Sequence, residues 1–291
     1  MAKLPISILI PTKNEEKNIS RCLAPILDWA DEIVIVDSGS TDRTKEIVEQ
    51  SGCQYLLFEY KGGWPKKRQW ALDNYPFKNP WILLLDSDEI LLSPVKKEIE
   101  QVIGAGNYDG YWLRFQIHFL GKMLKHGDTE LWKLSLFRNG LGRYEKRMDV
   151  HDESMADMEI HEHVIVKGDT SRLKSPVRHE NYNSLDRYIH KHNEYSNWEV
   201  QVYFNSSDSE VKPYLFGNQA ERRRYLKRLV FSMPFSYLVR FFYLYVLKLG
   251  FLDGRQGFYH AGFKSIQYFH IRAKKFEYLN SQPHAPNNPR P

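Results

Sequence analysis

Two carboxylates separated by one small residue, Asp86-Ser87-Asp88, follow directly on the apolar run Trp81-Ile82-Leu83-Leu84-Leu85. At the end of a buried strand such a pair can point to one side. It suits Mg²⁺ or Mn²⁺, hard ions that combine one or two carboxylates with water and substrate phosphates. A metal held in this way neutralises a diphosphate leaving group. Glu89 adds a third acid, and three acids so close together are unfavourable unless a cation joins them. Asp37 ends a second apolar run, in Asp37-Ser38-Gly39-Ser40-Thr41-Asp42. It can accept hydrogen bonds from a nucleobase or ribose, and Gly39 permits close backbone approach. Asp42 reads better as a helix cap. Pro11-Thr12-Lys13-Asn14-Glu15-Glu16 is a third polar cluster after a strand, with capping as the alternative for Thr12 and Asn14.

The elements that must position these groups are strands alternating with helices. Ile6–Ile10, Glu32–Val36, Gln54–Phe58 and Trp81–Leu85 read as buried strands. Glu15–Trp29, interrupted by Pro25, and Asp42–Ser51 read as helices, with a shorter one over Pro65–Asn74. Continuous apolar strands joined by helices imply an α/β fold, a mostly parallel sheet covered on both faces. Ligands of such sheets bind outside the carboxyl ends of the strands, so the three polar clusters should converge on one edge. Shorter strands are expected at Tyr111–Ile117, Leu131–Phe137 and His163–Lys167, and helix resumes after Ser184.

The segments PTKNEEKNI, EIVIVDSGSTDRT and WILLLDSDE, in this order, resemble the family 2 glycosyltransferases of the Rossmann-like GT-A fold across residues 5–90. The resemblance implies a nucleotide-diphosphate-sugar donor, usually a UDP-sugar, a divalent metal (Mg²⁺ or Mn²⁺) and inversion at the anomeric carbon. It assigns Pro11, Thr12, Glu15 and Asp37 to the nucleoside side of the donor, with Ser87 beside the diphosphate. Asp86 and Asp88 become the metal and diphosphate motif. The stretch Gly63–Leu72 is similar to a branch that includes enzymes glycosylating the lipopolysaccharide inner core, which makes Lys67 and Arg68 nucleotide or phosphate contacts; a solvated helix face is the alternative. Lys248–Phe258 is similar to the tail of that branch.

An inverting transfer needs a base for the acceptor hydroxyl. The Glu-Asp pair that many family members carry is absent from the second half of this chain. The nearest match is Ile160-His161-Glu162-His163, which nominates Glu162, with His161 orienting it. Asp128 is the second candidate and Glu180 the third. His179 is a candidate additional metal ligand. Zinc is disfavoured, since histidines in such positions are more often structural or supporting.

Composition bounds the rest. The chain has 291 residues and two cysteines, Cys22 and Cys53, too few for a disulfide framework. Met1-Ala2-Lys3-Leu4-Pro5 lacks the pattern of a secretory signal, so a cytoplasmic protein is expected. Residues 221–280 hold 12 Lys/Arg against 3 Asp/Glu, whereas the chain before them is net acidic. Arg224, Arg228, Ser232, Ser236, Arg240 and Lys248 mark one polar stripe of a helix, interrupted by Leu244 and divided by Pro234, with aromatic and aliphatic residues elsewhere. Such a helix either packs on the catalytic domain or lies in the interface of an anionic membrane. The predicted organisation is a catalytic domain over 1–220, with a nucleotide-sugar half to about 95 and an acceptor half over 96–220. A basic, amphipathic helical extension follows over 221–280, then a disordered tail over 281–291. The expected partners are the donor, a saccharide or lipid-linked acceptor and the inner face of the cytoplasmic membrane, not nucleic acid. Two other functions compete. A sugar-nucleotide pyrophosphorylase would need a glycine-rich loop where Pro11–Glu15 stands. A non-catalytic binder of anionic lipid or nucleic acid would leave the acidic clusters unexplained.

Overall fold

The computed structural model describes residues 2–146, 163–180, 184–205, 214–216, 222, 225, 229–230 and 233–281. These form two compact units, one of Met1–Leu124 with Thr129–Ser184 and one of Lys125–Asp128 with Leu185–Pro291.

The first unit opens with β1 (Leu4–Thr12), α1 (Ile19–Leu23), β2 (Ala30–Asp37), α2 (Thr44–Gln50), β3 (Gln54–Leu57), α3 (Lys67–Asn74) and β4 (Trp81–Leu84). β5 (Glu89–Ile90), α4 (Ser93–Ala105), β6 (Gly110–Phe119), β7 (Lys122–Met123) and β8 (Glu130–Arg138) follow. β9 (Gly142–Tyr144), β10 (Val164–Val166) and β11 (Thr170–His179) complete it. The main sheet has the order β3-β2-β1-β4-β8-β6-β11-β5, with β7 paired to β6. The strands β3, β2, β1 and β4 run parallel, as their unbroken apolar runs require. β8 enters antiparallel between β4 and β6.

Register carries the three clusters to one edge. Thr12 pairs with Asp37, and Leu9 with Leu84. Leu85 N donates to Leu9 O at 3.1 Å, so Asp86 emerges beside the end of β1. Ile6, Ile8 and Ile10 point into one hydrophobic layer, while Leu9 points into the other with Val34, Val36 and Ile82. Both faces of the sheet are therefore covered, and the backbone has no freedom to slide by one residue without reversing every side chain.

Three local expectations change. The helix expected over Glu15–Trp29 is cut to Ile19–Leu23 and continues as turns, because Pro25 has no amide to sustain it. α4, started by Pro94 and ended by Gly106 at φ 65°, was not anticipated. Nor was the ten-residue β11, whose sequence Thr-Ser-Arg-Leu-Lys-Ser-Pro-Val-Arg-His is too polar to stand out.

The second unit contains α5 (Leu185–Asn205), α6 (Ser236–Phe242), a wide π-helical turn over Tyr243–Leu247, a tight 3₁₀ turn over Gly250–Asp253 and α7 (Arg255–Ser281). α6 begins just beyond Pro234, where a break was expected. α5 packs on α7: Phe204 stacks on Tyr278 with ring centroids 4.4 Å apart, and His192 Nδ1 lies 3.0 Å from Gln267 Oε1. No helix among the described residues is long and apolar enough to cross a membrane.

Candidate active site at the strand ends

Asp37 is completely buried and accepts four hydrogen bonds. Thr12 Oγ1 donates to Oδ1 at 2.7 Å and Ser40 Oγ to the same oxygen at 2.6 Å. Ser40 N donates to Oδ2 at 2.7 Å and Tyr55 OH at 2.9 Å. Burial opposes the charge on this carboxylate, but the donors, led by Ser40, outweigh burial and hold its pKa below the usual range. An ionised carboxylate has about four acceptor positions, and all four are in use. The neighbouring loops are joined in the same way. Asn14 N donates to Ser40 Oγ at 2.8 Å, and Thr41 N returns a bond to Asn14 Oδ1 at 2.8 Å. Glu15 N donates to Thr44 Oγ1 at 2.7 Å, and Glu15 Oε2 accepts from Asn18 Nδ2 at 2.6 Å.

α3 supplies cations to this edge. Lys67 is fully buried and donates from Nζ to Thr12 O at 2.7 Å. Arg68 is 5% exposed, pairs with Asp86 and has its guanidinium 6.0 Å from the Tyr144 ring centre. A solvated helix face is thereby excluded for both residues. α3 is itself tied to β9, since Tyr144 N donates to Gln69 Oε1 at 2.7 Å.

The acids after β4 have distinct partners. Asp86 faces Arg68 on one oxygen and Lys133 Nζ on the other at 2.8 Å. Lys133 also donates to Glu89 Oε1 at 2.5 Å, while Asp86 N donates to Glu89 Oε2 at 2.8 Å. Burial works against ionisation of Asp86, but Arg68 and then Lys133 reverse this and hold its pKa well below the usual carboxylate range. Glu89 moves the opposite way: burial and the Asp86 charge raise it. For Lys133, burial opposes the charge, but Asp86 and Glu89 prevail and raise its pKa. The expectation that three acids require a bound cation needs correction, because Arg68 and Lys133 already supply compensating charge. Lys133 escaped sequence reading, although a lysine within Leu131-Trp132-Lys133-Leu134 was a usable signal.

Asp88 points elsewhere. Its Oδ2 lies 3.5 Å from His179 Nε2, and Asp88 O accepts from Glu180 N at 2.9 Å. β11 brings His179 here by pairing it with Glu89 of β5. His179 Nδ1 is buried without a hydrogen-bond partner. Glu180 forms ion pairs with Arg21 and, at 3.5 Å, with Arg178. The pair of Asp88 and His179 supplies one carboxylate oxygen and one imidazole nitrogen, donor types that divalent ions accept. The expected Asp86–Asp88 pair is split, because both Asp86 oxygens are engaged by cations. Among the described residues no group of three His, Cys, Asp or Glu side chains is arranged to hold a metal. Ser87, 6% exposed, sits between the two aspartates.

The base candidates separate. Glu162 and His161 lie outside the described residues. Asp128 belongs to the second unit, where its carboxylate is 3.7 Å from Arg240. Glu180 adjoins Asp88. A pair missed in the sequence flanks residues 147–162: Glu145, fully buried, accepts from the N of the exposed His163 at 3.0 Å and lies 2.8 Å from its Nδ1.

A mostly parallel sheet flanked by helices, with a carboxylate cluster and buried cations at its strand ends, is the GT-A arrangement expected from the sequence. Residues 7–165 match the family model for glycosyl transferase family 2, and the chain belongs to this enzyme family. It is 27% identical over 250 residues to the lipopolysaccharide core biosynthesis glycosyltransferase LpsC of Rhizobium meliloti, covering 82% of each chain. It is 29% identical to an uncharacterized glycosyltransferase of Rickettsia bellii, over 66% of this chain and 65% of that relative's length. The solved S. aureus TarS fragment 1–349 is similar over 97% of this chain and 93% of that one, with a TM-score of 0.45 and 15% identity.

Proposed function

We propose that the protein is an inverting, metal-dependent glycosyltransferase. It moves a sugar from a UDP-type donor to a saccharide or lipid-linked acceptor of lipopolysaccharide or another envelope polysaccharide. The observation that carries this reading is the meeting of Asp37, Lys67, Arg68 and the Asp86–Asp88–Glu89 cluster at one sheet edge. The Rhizobium meliloti relative, named for lipopolysaccharide core biosynthesis, supports an acceptor of that class.

Thr12, Glu15 and Asp37 serve the nucleoside side. Because the Asp37 acceptor positions are full, a base or ribose donor must replace one of its present partners. Arg68 and Lys133 stand ready to stabilise the charge that grows on the diphosphate as the anomeric C–O bond breaks. Asp88 and His179 would hold Mg²⁺ or Mn²⁺, which adds positive charge at the same leaving group. The acceptor oxygen forms the new bond from the opposite face and loses its proton to a carboxylate. Glu162 remains the first assignment for that base, with Asp128 and Glu180 as alternatives. Comparing Glu162→Gln, Asp128→Asn and Glu180→Gln assigns it: loss of transfer with retained donor binding identifies the base.

Thermal-shift measurements with nucleotide diphosphates and UDP-sugars, with and without Mn²⁺, test the donor class. A ligand that binds only the folded protein raises its melting temperature. Stabilisation by UDP or a UDP-sugar that needs metal and disappears in Asp88→Ala supports the proposal. Failure of every nucleotide under both conditions removes it.

A further inference from the structure

Among the described residues the polar stripe of the C-terminal helices does not form one outward face: Lys248 is exposed, but positions 236, 240 and 244 turn inward. Ser236 and Leu244, both on that stripe, are 1% exposed. Arg240 is folded in, 5.6 Å from the ring centres of Tyr243 and Tyr268, and faces Asp128. The side chains that point outward are apolar: Leu238, Val239, Phe242 and Leu247, the last 73% exposed.

This outward apolar surface continues through the elbow that joins α6 to α7. Between Val246 and Tyr259 the exposed large side chains are chiefly Leu247, Leu249, Phe251, Leu252, Phe258 and Tyr259. Lys248 and Arg255 are exposed among them. The segment has one acid, Asp253, and it faces inward: its Oδ2 accepts from Lys125 N at 3.0 Å and His126 N at 2.8 Å. The elbow is therefore apolar and cationic, with no exposed acid.

Its shape is also fixed. Gly127 N donates to Lys248 O at 2.8 Å. A Cβ on Gly257 would lie 1.9 Å from Gly250 O, and a Cβ on Gly250 would lie 2.7 Å from Leu244 O. Only glycine allows these turns to close so tightly. The exposed side chains thus stand on a braced scaffold, not on a loose loop.

A contiguous exposed apolar surface marks an interaction site. Charge selects the occupant. Residues 233–281 hold seven Lys/Arg against Asp253 and Glu277. A second copy meeting this surface symmetrically would bring Lys248 and Arg255 against their own like charges. An anionic bilayer instead offers hydrocarbon to the apolar side chains and phosphate to the two cations.

We propose that the elbow Val246–Tyr259 docks the protein onto an anionic lipid bilayer, seating Leu247, Phe251 and Leu252 below the headgroups and Lys248 and Arg255 among the phosphates. This deepens the reading of a membrane-borne acceptor and rests on it for its biological purpose, but its test needs no turnover. The full chain is floated with vesicles of phosphatidylcholine, with and without phosphatidylglycerol. Wild type should float with the anionic vesicles. Leu247→Glu/Phe251→Glu should lower the partition coefficient about tenfold or more. Lys248→Gln/Arg255→Gln should lower it about fivefold per cation, and only on anionic vesicles. Unchanged stabilisation by UDP in both variants separates loss of docking from loss of folding. Wild-type protein that binds donor yet does not float overturns the elbow and leaves the transferase reading standing. Flotation without any donor binding supports the elbow and removes the transferase reading. Sedimentation showing a dimer that Leu247→Glu/Phe251→Glu converts to monomers assigns the surface to a second copy and also overturns the proposal.

Discussion

In the unit of Met1–Leu124 and Thr129–Ser184, charged groups go inside and large apolar groups are covered. Lys67, Arg68, Asp37 and Glu89 are at most 5% exposed, while Leu57, Leu92 and Tyr108 are its only exposed large hydrophobics among the described residues. In the unit of Lys125–Asp128 and Leu185–Pro291, 24 large hydrophobics are exposed among the described residues. The contrast matches the two kinds of recognition proposed above. A buried charge must find its own partner with good geometry, or the cost of desolvation is not recovered. That requirement fixes the side chains of the strand-end cluster in defined positions. Apolar burial is non-directional, so a surface for lipid needs only area and a few cations.

The comparison can be broken in several places. The largest expected effect is on chemistry: Asp88→Ala should reduce sugar transfer about a thousandfold, as loss of a charge-stabilising group does. Near-normal turnover in a donor-hydrolysis or transfer assay would remove Asp88 from the site. Next is Lys133→Met, which strands Glu89 in the interior and leaves Asp86 to Arg68 alone. Chemical denaturation should show a loss of about 3 kcal/mol, with partial recovery in Lys133→Met/Glu89→Gln because the uncompensated charge is gone. Additive effects of the two changes would refute the pairing.

Acid response comes third. Asp37 and Asp86 have pKa values below the usual carboxylate range, so they add stability above that range and lose it as the pH falls through the depressed values. Glu89, raised by burial and Asp86, has the reverse sign: its contribution fades as the pH rises through its folded value. Ser40→Ala should cost about 1 kcal/mol more at neutral pH than in strong acid, where Asp37 is protonated and only the bond from Asn14 N to Ser40 Oγ is lost. Melting temperatures across pH check this, and a difference independent of pH would assign Ser40 to packing instead. The smallest effect is expected in the second unit. Lys274 Nζ bonds Asn193 Oδ1 at 2.7 Å and Ser196 Oγ at 2.6 Å. Lys274→Ala should cost less than about 1 kcal/mol by denaturation, since Asn193 is exposed to water and the buried Ser196 keeps its bond to Asn193 O. A loss as large as that of Lys133→Met would erase the distinction between the units.

Much of the strand-end site was legible before the fold. Each apolar run that stops at an acid or a proline announces a strand end, and Thr12, Asp37 and Asp86 were placed at one edge for that reason. Lys67 and Arg68 were ambiguous because helical spacing does not say which face a neighbouring sheet covers. β11 was hidden because Leu173 and Val177 are its buried aliphatic residues, between charged neighbours and Pro176. The spacing of the polar stripe left open which side of the C-terminal helices is covered; Ser236 and Leu244 are buried while Lys248, on the same stripe, is exposed.

The sequence by itself determined the alternation of strands and helices over residues 4–84 and the family to which they belong. These depend on neighbours a few positions apart, and periodicity records such neighbours directly. Only the tertiary structure decided which charges meet. Lys133 reaches Asp86 across 47 positions because β8 inserts beside β4, and His179 reaches Asp88 because β11 pairs with β5. It also decided that Arg240 turns inward while Leu247 and Phe251 face out. A helix shows its amphipathic phase in its sequence, but which side becomes the inside is set by what packs against it.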